Sequence, residues 1–153
     1  MLSRLRQLSK AELLDLYPAL WRLALVRFSL LVFGFRRTLE RFDQSHANQL
    51  APPSPVELES WRRRSRAFRR VGRLIPQAHC LARSIALRWW MRSQGVHALL
   101  KIGVRKDHGQ IDSHAWVEAN GVPVDEREAV VSQYQVVQTD NRSQKGWATT
   151  ETP

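Results

Sequence analysis

Cysteine is nearly missing from this 153-residue chain, which carries one, Cys80. No internal disulfide can form, and no Cys-x-x-Cys pair is available for metal or redox chemistry. A reducing, cytoplasmic setting is the natural expectation. No Gly-rich phosphate loop is present, so a nucleotide would not be held by a P-loop. There is no internal repeat. The apolar stretch Leu23–Phe35 is interrupted by Arg27 and followed by Arg36 and Arg37. It is too short and too marked by charge for a spanning helix, and no small-residue cleavage site follows it. The reading is a soluble protein with an amphipathic helix, for which attachment to a membrane surface stays open.

Acidic residues are also scarce: 14 against 24 Lys and Arg, a net charge of +10. The imbalance sits at the front. Residues 1–75 hold 15 basic and 6 acidic side chains, whereas residues 76–153 hold 9 and 8. A basic front suits an acidic peptide, an anionic membrane or nucleic acid, or it is simply a set of solvated helix faces. A 43% hydrophobic content with six Trp argues against disorder and for one domain with a proper core. Three segments are expected: a basic helical region over 1–75, a catalytic or binding core over 76–138, and a flexible tail over 139–153.

Punctuation gives the elements. Ser9 with Glu12 forms a capping box, and Pro18 should end or kink the helix it starts. A second helix is expected over Ala19–Phe42, then a linker over 43–55. Ser54, Pro55 and Glu57 open an Arg-rich helix that Pro76 stops. A buried stripe of Leu81, Ala82, Ile85, Ala86 and Trp89 predicts a helix from Gln77 to Ser93, ended by Gly95. The period then drops to two. Strands are expected over Ala98–Arg105, bounded by a turn over Lys106–Gly109, then over His114–Ala119 and Val122–Asp125, with a fourth near Tyr134–Gln138, and Asn120-Gly121 is a hairpin turn. Helices followed by an antiparallel sheet make an α+β domain.

A lone cysteine is most often an inert, buried hydrophobe. Cys80, however, falls near a helix N-terminus, where the dipole and unpaired N–H groups favour a thiolate. The same N–H groups could hold an oxyanion; Gln77 is a further possible donor. Arg83 adds positive charge one turn on. A thiol nucleophile needs a base, and the base an orienting group. His114 heads a strand; His46, His97 and His108 fall in a linker, at a strand start and in a turn. His79 adjoins Cys80 but points elsewhere on the helix. Counting back from a two-residue turn pairs Ala119 with Val122, Val117 with Val124 and Trp116 with Asp125. His114, Trp116 and Asp125 then share a face. Glu126 would face the other way, and a loop one residue longer would reverse the choice. Asp125 is the expected partner of His114, with Glu126 as fallback.

Cys80-Leu-Ala-Arg83-Ser84, Gly95-Val96, Lys101-Ile-Gly103-Val104, His114-Ala-Trp116-Val-Glu118 and Asn120-Gly121 together resemble the B2 proteins of lasso peptide biosynthesis, a transglutaminase-like family, best over residues 75–130. Leu20-Trp21-Arg22 resembles the family's helical front. The resemblance implies a papain/transglutaminase-like core, in which the helix carrying Cys80 packs on a small antiparallel sheet behind an N-terminal helical extension. It also implies a bacterial cysteine protease. Such leader peptidases free the core N-terminal amine of a ribosomally made precursor, typically cutting close to a leader threonine. A separate ATP-using cyclase then joins that amine to an Asp or Glu side chain. By resemblance Cys80 attacks the scissile carbonyl, His114 takes and returns the proton, and Asp125 orients His114. No cofactor or metal is implied. The front shows no strands of a fused leader-binding domain, so a separate leader-recognition protein (B1) is expected as partner. The Arg62–Arg73 helix is a candidate surface for docking it, the leader or the cyclase. Two other readings stand beside this one: acyl transfer to an amine by the same triad, and a non-catalytic basic module binding a partner or nucleic acid with Cys80 in its core.

Overall fold

The computed structural model describes residues 10–43, 50–107 and 109–139. Helix α1 (Lys10–Asp43) leads to α2 (Pro55–Val71) and α3 (Cys80–Ser93). Strands β1 (Leu99–Asp107), β2 (Gln110–Ala119) and β3 (Val122–Pro123) follow, then the short helix α4 (Glu128–Val131) and β4 (Gln135–Thr139). The sheet is antiparallel in the order β3-β2-β1-β4.

The front differs from expectation. Two helices meeting at Pro18 are one helix, with Pro18 inside it. Pro18 removes only the bond to the carbonyl of Leu14, a residue 75% exposed, where water can serve instead. The break comes at Gly34, whose φ of 73° and ψ of 179° are non-helical. Only glycine adopts that conformation without strain. Asp43, expected in the linker, is the last residue of α1. The Ser9 cap, residues 44–49 of the linker, His46, His108 and the tail from 140 lie outside the described residues.

Helix α2 begins as its residues dictate: Ser54 accepts from the Glu57 N–H while the Glu57 carboxylate accepts from the Ser54 N–H. It ends at Val71, before Pro76, because Gly72 caps it. Helix α3 starts three residues later than the expected Gln77. Gln77 has a left-handed φ of 57°, and His79 is the extended N-cap.

One hydrophobic cluster joins all three long helices to the sheet. It includes Leu23 and Val26 of α1, Phe68 of α2, Ile85 and Met91 of α3, and Leu100 and Val117 of the sheet. The division expected at residue 75 therefore follows charge, not packing. Arg22 stands over the rings of Trp21, Trp89 and Trp90, and Arg64 over Trp61 and Trp90. These cation–π contacts line the α1–α2–α3 junction. Arg88 and Arg92, 2% and 5% exposed, both reach Asp43 Oδ1, at 2.6 and 2.9 Å. That places a charged clasp between the end of α1 and α3.

Much of the α2 arginine ring serves the fold. Arg63 and Arg64 face Asp15 of α1, and Arg70 faces Glu12. Arg62 pairs with Glu59, and Arg69 donates to the Asp125 carbonyl. Arg66 and Arg73 remain exposed without a partner among the described residues. The surface available for docking on α2 is narrower than its sequence suggests.

Candidate active site

Cys80 is the first residue of α3. Its N-cap, His79, makes no side-chain capping bond, so the first-turn N–H groups are not taken by a cap. The Leu81 N–H points back at the Cys80 sulfur, and the Ala115 N–H reaches it from β2. The His114 side chain hydrogen-bonds the same sulfur. Burial pushes the Cys80 thiol up, but His114, Ala115 and Leu81 outweigh it, and the net shift is downward. His114 moves the other way. Its bond to Cys80 raises its pKa against burial, helped by the charges of Cys80, Glu126 and Asp125. Opposed shifts on two touching groups favour a thiolate–imidazolium pair.

The hairpin register is as the Asn120-Gly121 turn requires. Ala119 pairs with Val122, Glu118 with Pro123, and the Val124 N–H donates to the Val117 carbonyl. The ladder then stops, because β3 ends at Pro123, and Asp125 does not continue opposite Trp116. Its carboxylate turns inward, accepting from the Val117 N–H at 2.8 Å and from Ser84 Oγ at 2.7 Å. Burial raises the Asp125 pKa, and those two hydrogen bonds oppose it. The carboxylate within ion-pair distance of His114 is that of Glu126, with Oε2 3.4 Å from Nε2. This corrects the expected Asp125–His114 contact. Counting pairs assumed a strand that Pro123 and the bend after it cut short. Cys80, His114, Asp125 and Glu126 still line one cleft, with Arg69 and Arg83 at its edge.

Two residues had weak signals in the sequence. The Ser84 hydroxyl lies 3.1 Å from the Ala115 carbonyl and 2.7 Å from Asp125 Oδ2, its one proton shared between them, joining α3 to β2 behind the cleft. Tyr134 packs on His114 with ring centroids 5.4 Å apart, Trp116 stacks on His114 at 6.2 Å, and Trp116 and Tyr134 meet each other at 6.4 Å, so the three rings form one cluster. Tyr134 is held by a 2.7 Å bond to Asp112, which also binds Arg105. Alternation along β2 gives the shared face of His114 and Trp116, but Tyr134 joins them only through long-range pairing of β4 with β1. Gln77 does not line the cleft; its side-chain oxygen accepts from Arg27. Among the described residues no group of three or more His, Cys, Asp or Glu is placed to hold a metal ion.

A nucleophilic cysteine on a helix N-terminus, met by a histidine from an adjacent antiparallel strand, is the arrangement by which cysteine peptidases and acyl transferases work. The chain belongs to the transglutaminase-like superfamily: the model of that family matches residues 17–139, from α1 to the last strand. This superfamily includes cysteine peptidases. No curated protein matches the chain, and no solved structure does.

Proposed function

We propose that this protein is a cysteine peptidase that removes the leader from a ribosomally made lasso peptide precursor, freeing the core N-terminal amine for a separate cyclase. The observation that carries the peptidase reading is the sulfur of Cys80, which meets the His114 ring and two backbone N–H groups at once. The narrower substrate rests on the resemblance over residues 75–130, which the superfamily match accommodates.

In this reading the Cys80 thiolate attacks the scissile carbonyl. N–H groups of the first α3 turn, which no side chain caps, face the developing oxyanion. His114 gives its proton to the leaving amine, then takes one from the water that hydrolyses the acyl-enzyme. Glu126 supports the charged ring, and Asp125 fixes the strand that carries it. The partners are the precursor, a leader-recognition protein and the cyclase, in a bacterial cytoplasm; Arg66 and Arg73 offer the free basic positions on α2.

The test is mass spectrometry of a precursor incubated with the chain and its leader-recognition protein. Free leader and core are expected from the native chain, and none from folded Cys80→Ala or His114→Ala. Full cleavage by Cys80→Ala would overturn the proposal. The superfamily takes its name from acyl transfer, so an amine adduct in place of free core would instead make this chain a transferase.

A further inference from the structure

Helix α1 presents an apolar face to solvent. Leu13, Leu14, Tyr17, Leu20, Trp21, Leu25, Phe28, Leu31 and Val32 are each more than a third exposed. At 3.6 residues per turn they fall, with Ala24, within about 140° of the helix circumference and extend about 28 Å along it. No charged residue lies between them on that face. The opposite side holds Asp15, Ala19, Leu23, Val26 and Ser29 against the rest of the fold. A contiguous apolar face of this length on an exposed helix marks an interaction surface.

We infer that this face of α1 lies on an anionic membrane surface, parallel to it. Charge narrows the choice of occupant. A second copy would bring +10 against +10, so like-charge repulsion opposes self-pairing. A protein interface carries about one hydrogen bond per 100–200 Å². This face offers two polar side-chain atoms over its whole length, the Tyr17 hydroxyl and the Trp21 indole N–H, both on amphipathic rings that suit the headgroup–acyl boundary. Cations flank the stripe in the sequence, Lys10 before it and, past the break at Gly34, Arg36, Arg37 and Arg41 after it, all exposed. An amphipathic helix with basic ends is drawn to anionic headgroups and buries its apolar side among the acyl chains.

By length and composition α1 could instead cross a bilayer, with a mean hydropathy of 1.5 over its most apolar 18-residue window. Its inner face argues otherwise. Asp15 is paired with Arg63 and Arg64, Ser29 with Thr38 at 3.0 Å, and Arg27 with the Pro76 carbonyl. Spanning would strip α1 from the core, whereas lying flat keeps every one of these contacts.

Flotation of the full chain with vesicles tests the inference, using phosphatidylcholine alone or mixed equally with phosphatidylglycerol. Binding to the mixed vesicles, weakened by salt and absent with phosphatidylcholine alone, is expected. Phe28→Asp should weaken it about tenfold or more, with circular dichroism and Cys80 alkylation unchanged. Leu31→Gln is the second variant if Phe28→Asp unfolds. Failure to float with mixed vesicles overturns the inference. So does a dimer by light scattering that Phe28→Asp makes monomeric, or a complex with a protein partner that Phe28→Asp breaks while vesicles stay unbound. None of these outcomes depends on whether the chain cuts a peptide.

Discussion

At the scale of single residues, the opposed shifts on Cys80 and His114 set a pH window. Cys80 is lowered and His114 raised from their ordinary values. The reactive form should fill between them, lost on the acid side as the thiolate is protonated and on the alkaline side as the imidazolium gives up its proton. Iodoacetamide labelling should therefore have its midpoint below that of an ordinary thiol. His114→Ala removes the largest downward influence on Cys80, so it should move that midpoint up and slow labelling at neutral pH. The two carboxylates should separate cleanly. Glu126→Gln takes away a charge that supports the imidazolium, so the alkaline limb of kcat/KM should shift to lower pH with stability little changed. Asp125→Ala orphans the buried Val117 N–H and leaves the Ser84 hydroxyl with only the Ala115 carbonyl. It should cost about 1–3 kcal/mol of stability, read as a fall in Tm. If instead Asp125→Ala shifts the alkaline limb and Glu126→Gln does not, the two roles have been exchanged.

At the scale of elements, the sheet was far easier to read than the front. Period-two alternation and the Asn120-Gly121 turn give the strands in order and the hairpin register, because those signals act between neighbours in the chain, but not the strand ends: β2 begins at Gln110, four residues before His114, and β3 stops at Pro123. Cys80 at a helix start was legible for the same reason. The partner of His114 was not. It depended on where β3 stops, and a proline-ended strand that bends inward is decided by Ser84 and Val117, distant in sequence. The continuity of α1 through Pro18 is not legible because Pro18 reads as a stop, while tertiary contacts on its inner face hold the helix together across it; the break lies instead at Gly34. Gly103 shows the same tension. Nothing in an alternating strand asks for glycine there, yet a Cβ would come within 2.8 Å of Tyr134 Cβ and 3.0 Å of the Trp116 ring. Gly103→Ala should displace Tyr134 from His114 and destabilise by about 1–3 kcal/mol. A Tm equal to that of the native chain would count against this packing.

At the scale of the whole molecule, the charge asymmetry that divides the sequence does not divide the structure. Arginines of α2 and α3 hold α1 through Asp15, Glu12 and Asp43. The basic front is therefore part of the scaffold that presents Cys80. Asp43 carries the largest share of this, since two deeply buried guanidinium groups converge on it. Asp43→Ala leaves them short of a counter-charge and should cost about 3–5 kcal/mol. A denaturant midpoint unchanged in Asp43→Ala would show that the clasp contributes little.

The inward turn of Asp125 has a consequence for motion. Its side chain binds β2 at Val117 and α3 at Ser84, while its backbone carbonyl takes a bond from Arg69 of α2. Three elements thus share one residue directly behind the nucleophile and its base. Cys80 and His114 sit on two of them, so they cannot drift apart by a local excursion of the hairpin alone. Hydrogen exchange would register this at the Val117 amide. That amide should exchange only when the whole domain opens, and Asp125→Ala should let it exchange well before.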